Sequence, residues 1–459
     1  MVRRVLAITA LACLVAAACS NTDDDDDAGG GGGDGGEDSY GNVTTEQDAE
    51  NVPVDQPGVT DDEIRVAGLV AASNDVTNSN FDDISLGVQA YFEMINQNDG
   101  IYGRQLVYEE FDDELLNTQA ATTELLDSDP FAVVGVASPG FGGGAPDLAS
   151  AGIPVFGWNI NAEFNETPSF FGMRGFLGIE DAGPLLPWLA QEVEADTLGV
   201  MAYGGLAAEQ SEACLNGISN SVEQYEGDLE IGFQDSSLDF GFADVTGQVQ
   251  QMSDAGVDML ATCMDFTGHT TIARELERQG VDVTHYLPRG YDYDFLREFG
   301  DLFEGAHVLL PMLPREWEPR PPSMDAFEAW MAELGHDDAR MNELSLAGWI
   351  TADMFLTGLR LAGPEFTRET VVSGMNTLTD YTAQGLLPAV DWTREHEEDV
   401  DGCGTFLRID GGEFVPEFDD GETPFSCLEV APDETVIPEP TFAPIEHTDV
   451  GLIELPEGG

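Results

Sequence analysis

Apolar residues recur along the chain in two rhythms. Residues 64–70 (IRVAGLV) form a short β-branched run and predict a buried strand. A polar loop occupies 73–80. Ile84, Val88, Tyr91, Phe92 and Ile95 then recur at helical spacing, predicting an amphipathic helix over about 82–97. Asp82 and Asp83 favour its N-terminus through the helix dipole, and Asn98-Asp99-Gly100 stops it. A strand at 106–111, a helix at 117–127 and strands at 131–136 and 153–156 follow. The rhythm then restarts, with strands at 198–203, 229–233, 257–263 and 285–288 and helices at 207–225, 245–255 and 270–279.

Two consecutive βα series predict an α/β fold of two doubly wound lobes with parallel sheets. Such sheets bind ligands beyond the carboxyl ends of their strands, so the loops from Ala71, Ala137, Gly157, Gly204, Met264 and Arg289 are the ones to watch. Later, 308–313 reads as strand. Residues 324–334, 344–362 and 367–378 read as helices, the second with Leu346, Ile350, Met354 and Leu361 on one stripe. Residues 405–409 and 414–418 flank Asp410-Gly411-Gly412 as a hairpin.

Charge narrows the function. The chain has 88 acidic and 16 basic residues, a net charge of −72, and every basic residue is Arg. Nucleic acid would be repelled, and no basic membrane-surface helix exists in the sequence. The excess is equally compatible with a saline or alkaline habitat and with simple solubility.

Met1-Val2-Arg3-Arg4 and the apolar stretch 5–18 read as a signal peptide, too short for the ~20 residues of a membrane span. It ends Ala16-Ala17-Ala18-Cys19, which resembles the bacterial lipoprotein box, with Cys19 acylated; Ala16 stands where that box usually has Leu. The alternative is an ordinary A-x-A cleavage site. Residues 20 to about 60, with Asp23 to Asp27 and Gly29 to Gly33, read as a disordered tether, and 432–459 as a loose Pro/Glu-rich tail.

Four cysteines remain in the body and permit three pairings. Cys403–Cys427 with Cys214–Cys263 is the favoured one; the first bridge closes a loop of ~25 residues, worth roughly 3.5 kcal/mol in the chain-entropy picture. The scattered His residues form no HExxH pair, so neither metal nor other cofactor is expected. Hydrolase motifs of the G-x-S-x-G and S-x-x-K kind are absent, and no enzyme is expected.

Several segments resemble one family. Ile95 to Arg104 reads I-N-Q-N-D-G-I-Y-G-R, similar to that family's I-N-x-x-G-G-I-x-G-R. Phe111-Asp112-Asp113 follows the second strand. Gly385-Leu386-Leu387-Pro388, Trp392, Cys403 and Arg408 through Pro416 resemble its closing segment. The family is the type I periplasmic binding proteins, in the Leu/Ile/Val- and amide-binding branch that serves ABC transporters. The resemblance covers about residues 60–430. It implies a signal peptide (1–18), a tether (19–61), lobe 1 (62–179 and 312–382), lobe 2 (180–311 and 383–430) and a tail (431–459). The three hinge crossings are expected near 178–181, 310–312 and 381–386.

The resemblance further implies a small-molecule solute held between the lobes of a monomer, delivered to permease and ATPase subunits, with the membrane reached only through the lipid. A sensor of the same fold signalling to a membrane kinase is the alternative. Implied ligand contacts in lobe 1 are Asn80 and Phe81, Ser138 and Phe141 around Gly140 to Gly144, and Asn159 and Asn161. Those in lobe 2 are Tyr203, Asp265, Phe266, Arg289 and Tyr291. Against ligand roles, the phenylalanines could be core, Asp265 a helix cap, and Arg289 a partner of Asp292 or Asp294. Arg289 falls where amino-acid binders place an acid, so Asp265 or Asp292 would have to hold an ammonium. An Arg among aromatics also suits an organic anion.

Overall fold

The computed structural model describes residues 51–73, 80–173, 183–205, 209–396, 402–428 and 435–445. The signal peptide, Cys19, the first expected hinge crossing and most of the tail fall outside the described residues.

The first series builds a parallel sheet in the order β2-β1-β3-β4-β5. Its strands are β1 (Glu63–Val70), β2 (Gln105–Asp112), β3 (Ala132–Ala137), β4 (Val155–Gly157) and β5 (Phe170–Gly172). Side chains alternate across it as the pleat requires. Ile64 and Val66 face one core, with helices α1 (Asp83–Gln97), α10 (Pro322–Glu333), α11 (Glu343–Ala362) and α12 (Arg368–Met375). Ala67 and Leu69 face the other, with α2 (Thr118–Asp127) and α3 (Ala145–Ser150). The short α4 (Glu163–Glu166) leads into β5.

The second series builds a nine-stranded sheet. Strands β6 (Thr197–Tyr203), β7 (Glu230–Leu238), β8 (Met259–Cys263), β9 (Thr284–Leu287) and β10 (His307–Leu310) run parallel in the order β7-β6-β8-β9-β10. The closing strand β11 (Gly402–Asp410) adds antiparallel to β10, and the expected Gly-turn hairpin pairs it with β12 (Glu413–Glu417). Helices α5 (Leu185–Glu192) and α6 (Glu209–Gln224) cover one face. Helices α7 (Thr246–Ala255) and α8 (Phe266–Gln279) cover the other, with α9 (Tyr293–Phe299) beside them. Both favoured disulfides are formed, Cys214–Cys263 between α6 and β8 and Cys403–Cys427 between β11 and β13 (Ser426–Leu428).

Four expectations need correction. Residues 51–61 are not tether. The buried Arg104 guanidinium donates to the carbonyls of Val52 and Thr60, both at 2.7 Å, and ties this segment to the body. The tail is not wholly loose either, because β14 (Thr441–Phe442) pairs with β13 as an edge strand. The third crossing lies later than 381–386: Trp392 sits edge-on to Phe171 of β5 at 5.1 Å, so the chain stays against the first lobe that far. Finally, α11 has no single apolar stripe. Every residue from Glu343 to Arg360 is buried, because α1, α12 and the sheet surround the helix. Its buried Asp353 accepts the hydroxyls of Tyr91 (2.8 Å) and Tyr381 (2.7 Å).

Candidate ligand-binding site

Between the lobes lies a cavity of about 560 Å³, within the usual range of ~300–1,000 Å³ for small-molecule sites. Loops at the carboxyl ends of β4, β6, β8 and β9 supply its polar end, as open α/β sheets require. The lobes are shut on it. Gln210 of α6 donates to the Ile160 carbonyl at 2.6 Å, and the Glu343 amide to the Tyr291 carbonyl at 3.0 Å. Asn342 Nδ2, at the start of α11, bridges Asp83 (2.5 Å) and Asp292 (3.2 Å).

Arg289 follows β9 and lies at the centre of an aromatic collar. Its guanidinium carbon is 5.1 Å from the Phe81 ring, 5.0 Å from Trp158 and 5.2 Å from Phe266. Two rings come from one lobe and one from the other, so the collar exists only when the lobes meet. Cation–π attraction of this kind strengthens where water is excluded. Burial pulls the Arg289 pKa down, while Glu343, Asp292, Asp265 and Asp83 pull it up. The group remains a cation, because an Arg starts far above neutral pH.

Asp265 closes β8 and opens α8. Its Oδ1 accepts from the Gly268 amide (2.8 Å), the capping role, and from the Tyr203 hydroxyl (2.6 Å). Its Oδ2 is buried with no hydrogen-bond partner. Burial, then the Asp265 charge, pushes the Tyr203 pKa up, so that hydroxyl keeps its proton and donates. Phe240 stacks on Tyr203 at 4.0 Å and fixes the ring. Behind Thr262, burial drives the His269 pKa down to about 3, leaving a neutral imidazole that adds no positive charge.

Of the residues singled out in the sequence, Phe81, Asn159, Tyr203, Asp265 and Arg289 line the cavity, and Phe266 backs it through the collar. Ser138 does not line it; its hydroxyl donates to buried Asp113, which Thr118 also serves. Phe141 is core, stacked on Phe164 at 5.1 Å. Asn161 donates to the Pro139 carbonyl at 3.4 Å, behind the wall. The Asn80 carbonyl takes the Asp83 amide at the start of α1. The Tyr291 hydroxyl donates to Glu316 (2.8 Å) and accepts from the Arg315 amide, away from the cavity. Asp294 pairs with Arg297, and Asp292 caps α9. Wall residues that the sequence did not single out include Trp158, Gln210, Glu343 and the stretch from Leu387 to Asp391. Trp158 adjoined the chosen Asn159, whereas nothing local marks Glu343, which only the packing of α11 brings to the cleft.

Among the described residues no cluster could hold a metal ion, and no helix is long and apolar enough to cross a membrane.

Two α/β lobes meeting over a cavity lined by the cation Arg289 and the carboxylate Asp265 have the architecture of a two-lobed solute-binding protein. The chain belongs to the periplasmic binding protein family, whose profile matches residues 63–413. No curated protein matches it at the level of sequence. Among solved structures it is similar to a fatty acid ABC transporter substrate-binding protein from Thermomonospora curvata (18% identity, TM-score 0.67, 79% of this chain and 94% of that one). It is also similar to a substrate-binding periplasmic protein from Ralstonia solanacearum (18%, TM-score 0.64, 77% and 100%). A third is a branched chain amino acid ABC transporter protein from Thermus thermophilus with bound valine (15%, TM-score 0.62, 78% and 96%). At these identities the likeness is one of fold.

Proposed function

We propose that the protein is an extracytoplasmic solute-binding lipoprotein, anchored through Cys19, that captures one small amino-acid-like or organic-anion ligand and delivers it to an ABC importer. Family membership supports the receptor role, and the solved relatives named for amino acid and fatty acid transporters support the importer. One observation carries the ligand class: Arg289 and Asp265, whose Oδ2 is buried with no hydrogen-bond partner, line the same interlobe cavity. A guanidinium fork takes a carboxylate, and a buried carboxylate oxygen calls for a donor. A ligand bearing a carboxylate with an amino or similar donor group fits both.

A thermal-shift screen over amino acids, amides and aromatic acids would find the ligand; titration calorimetry would then compare wild type with Arg289→Ala and Asp265→Asn. Arg289→Ala is expected to weaken binding by roughly 2–4 kcal/mol, the cost of stripping one partner from a desolvated charge pair. Equal dissociation constants for wild type and Arg289→Ala would return Arg289 to a structural role and defeat this reading. Cys19→Ala should release the protein from the membrane fraction or leave it unprocessed.

A further inference from the structure

The cavity is larger than its polar end, and the surplus has a direction. One face of α6 lines it, through Cys214, Ile218 and Ser221, spaced four and three residues apart. Opposite them, on the sheet, are Tyr286 of β9, Leu309 of β10 and Leu428 of β13. A helix laid on a sheet normally closes this layer, yet here Ile218 and Leu309 are only partly buried at the edge of their core. The Ser221 hydroxyl is turned back to the Gly217 carbonyl at 2.9 Å and presents no free donor to the gap.

Strand order gives the length. Between β9, where Arg289 follows, and β13 lie three strand spacings of ~4.8 Å each, so the gallery runs about 14 Å along the sheet face. The Cys214–Cys263 bridge, whose two cysteines both line the cavity, pins α6 to β8 at its head. The helix is therefore held in place and cannot easily settle onto the sheet. The part of the wall formed by Ile218, Leu309 and Leu428 is apolar and favours an apolar occupant, although Asp391, Arg394 and Glu395 line the same cavity.

We infer that this gallery is a tail subsite: the ligand is an amphiphile whose carboxylate meets Arg289 and whose extended apolar tail passes beneath α6 across β9, β10, β11 and β13. The inference rests on the receptor reading above and adds the class of substrate. A compact branched side chain would leave most of the gallery empty, whereas an unbranched tail follows it.

Calorimetry on the purified full-length protein tests this with 2-aminobutyrate, 2-aminooctanoate and 2-aminododecanoate, each below its micelle concentration. Octanoate and dodecanoate serve as partners lacking the amino group. Full burial is worth about fourfold in affinity per added CH₂. The longest amino acid is expected to bind at least about tenfold tighter than the shortest, a floor set well under that ceiling because Ser221 and Tyr286 make the wall only partly apolar. Ile218→Trp and, one turn on, Ser221→Phe fill the gallery from the helix side. Each should abolish the gain with length, read as the ratio of 2-aminododecanoate to 2-aminobutyrate affinity within the same variant. Circular dichroism reports whether each variant is folded; should neither fold, the wild-type length series decides alone. A flat series with the short probe bound overturns the gallery and spares the receptor reading. A length gain that survives in a folded variant also overturns it. No binding by any probe overturns both.

Discussion

Ser138 illustrates how a residue of the right type in the right loop can be committed elsewhere. Its hydroxyl donates to Asp113, which is wholly buried and also takes the Thr118 hydroxyl at 2.8 Å and the Leu115 amide at 2.8 Å. Ser138→Ala should therefore lower stability by roughly 1–3 kcal/mol in urea unfolding, the cost of leaving a buried acceptor short, with ligand affinity unchanged. A changed affinity at unchanged stability would put Ser138 back in the site. Asp83 makes a different test, through pH. Burial raises its pKa to about 7, against the pull of the adjoining Arg340 and the Asn342 bond. Between an ordinary value near 3.8 and about 7 the folded protein thus holds a proton that the unfolded chain has lost. That contribution to stability is fully present below the lower value and is lost as pH rises through the upper one. Asp83→Asn, which mimics the protonated acid, should gain on wild type as pH rises from about 4 to about 7, and the difference should level off above. A difference independent of pH would show that Arg340 keeps Asp83 ionised throughout.

At the scale of elements, the crossing of α1 and α11 sets the first lobe. A Cβ on Gly87 would overlap the Ser345 carbonyl oxygen, and one on Gly348 would overlap that of Ile84, so the two backbones touch. Gly87→Ala or Gly348→Ala must push the helices apart and is expected to cost about 1–3 kcal/mol or more, read as a lowered urea midpoint. Gly247, in the first turn of α7, has open space around it, and Gly247→Ala should instead stabilise by roughly 0.5–1 kcal/mol through the unfolded chain. The same contrast explains what the sequence could tell. Strands such as Glu63–Val70 and Ala132–Ala137 were legible because they are continuous apolar runs between turn signals. Both βα series therefore emerged in order. The helix α5 was not, because Leu185 to Leu189 is a short apolar run around Pro187 with no period long enough to read. Three-residue strands such as β5 and β13 carry no periodicity at all. In the site, Arg289 and Asp265 were legible as charged residues at strand ends. Glu343 was not, since it reaches the cleft only through the long helix α11, far along the chain from any strand of the first sheet.

The charge of the whole molecule bears on any anionic ligand. At a net charge of −72, the surface repels any anion that approaches it, while Arg289, the cation proposed to hold the ligand, lies among rings from both lobes. Long-range repulsion acts on encounter, and contacts made after closure act on escape. Salt separates the two, because the Debye length shrinks from about 30 Å at ~0.01 M to about 3 Å at ~1 M. For a ligand with a net negative charge the association rate should rise with added NaCl, by about tenfold or more across that range, while the dissociation rate holds nearly constant. A zwitterion carries no net charge for the field to act on, so both of its rates should be nearly flat with salt. Stopped-flow fluorescence can follow either case, since Trp158 lies in the cavity wall beside the guanidinium. Applied to dodecanoate and 2-aminododecanoate, the measurement asks which net charge the molecule admits. If the plain carboxylate binds at rates that ignore salt, the field of the surface acids does not reach the cleft mouth, and the enclosure of Arg289 answers some need other than overcoming repulsion.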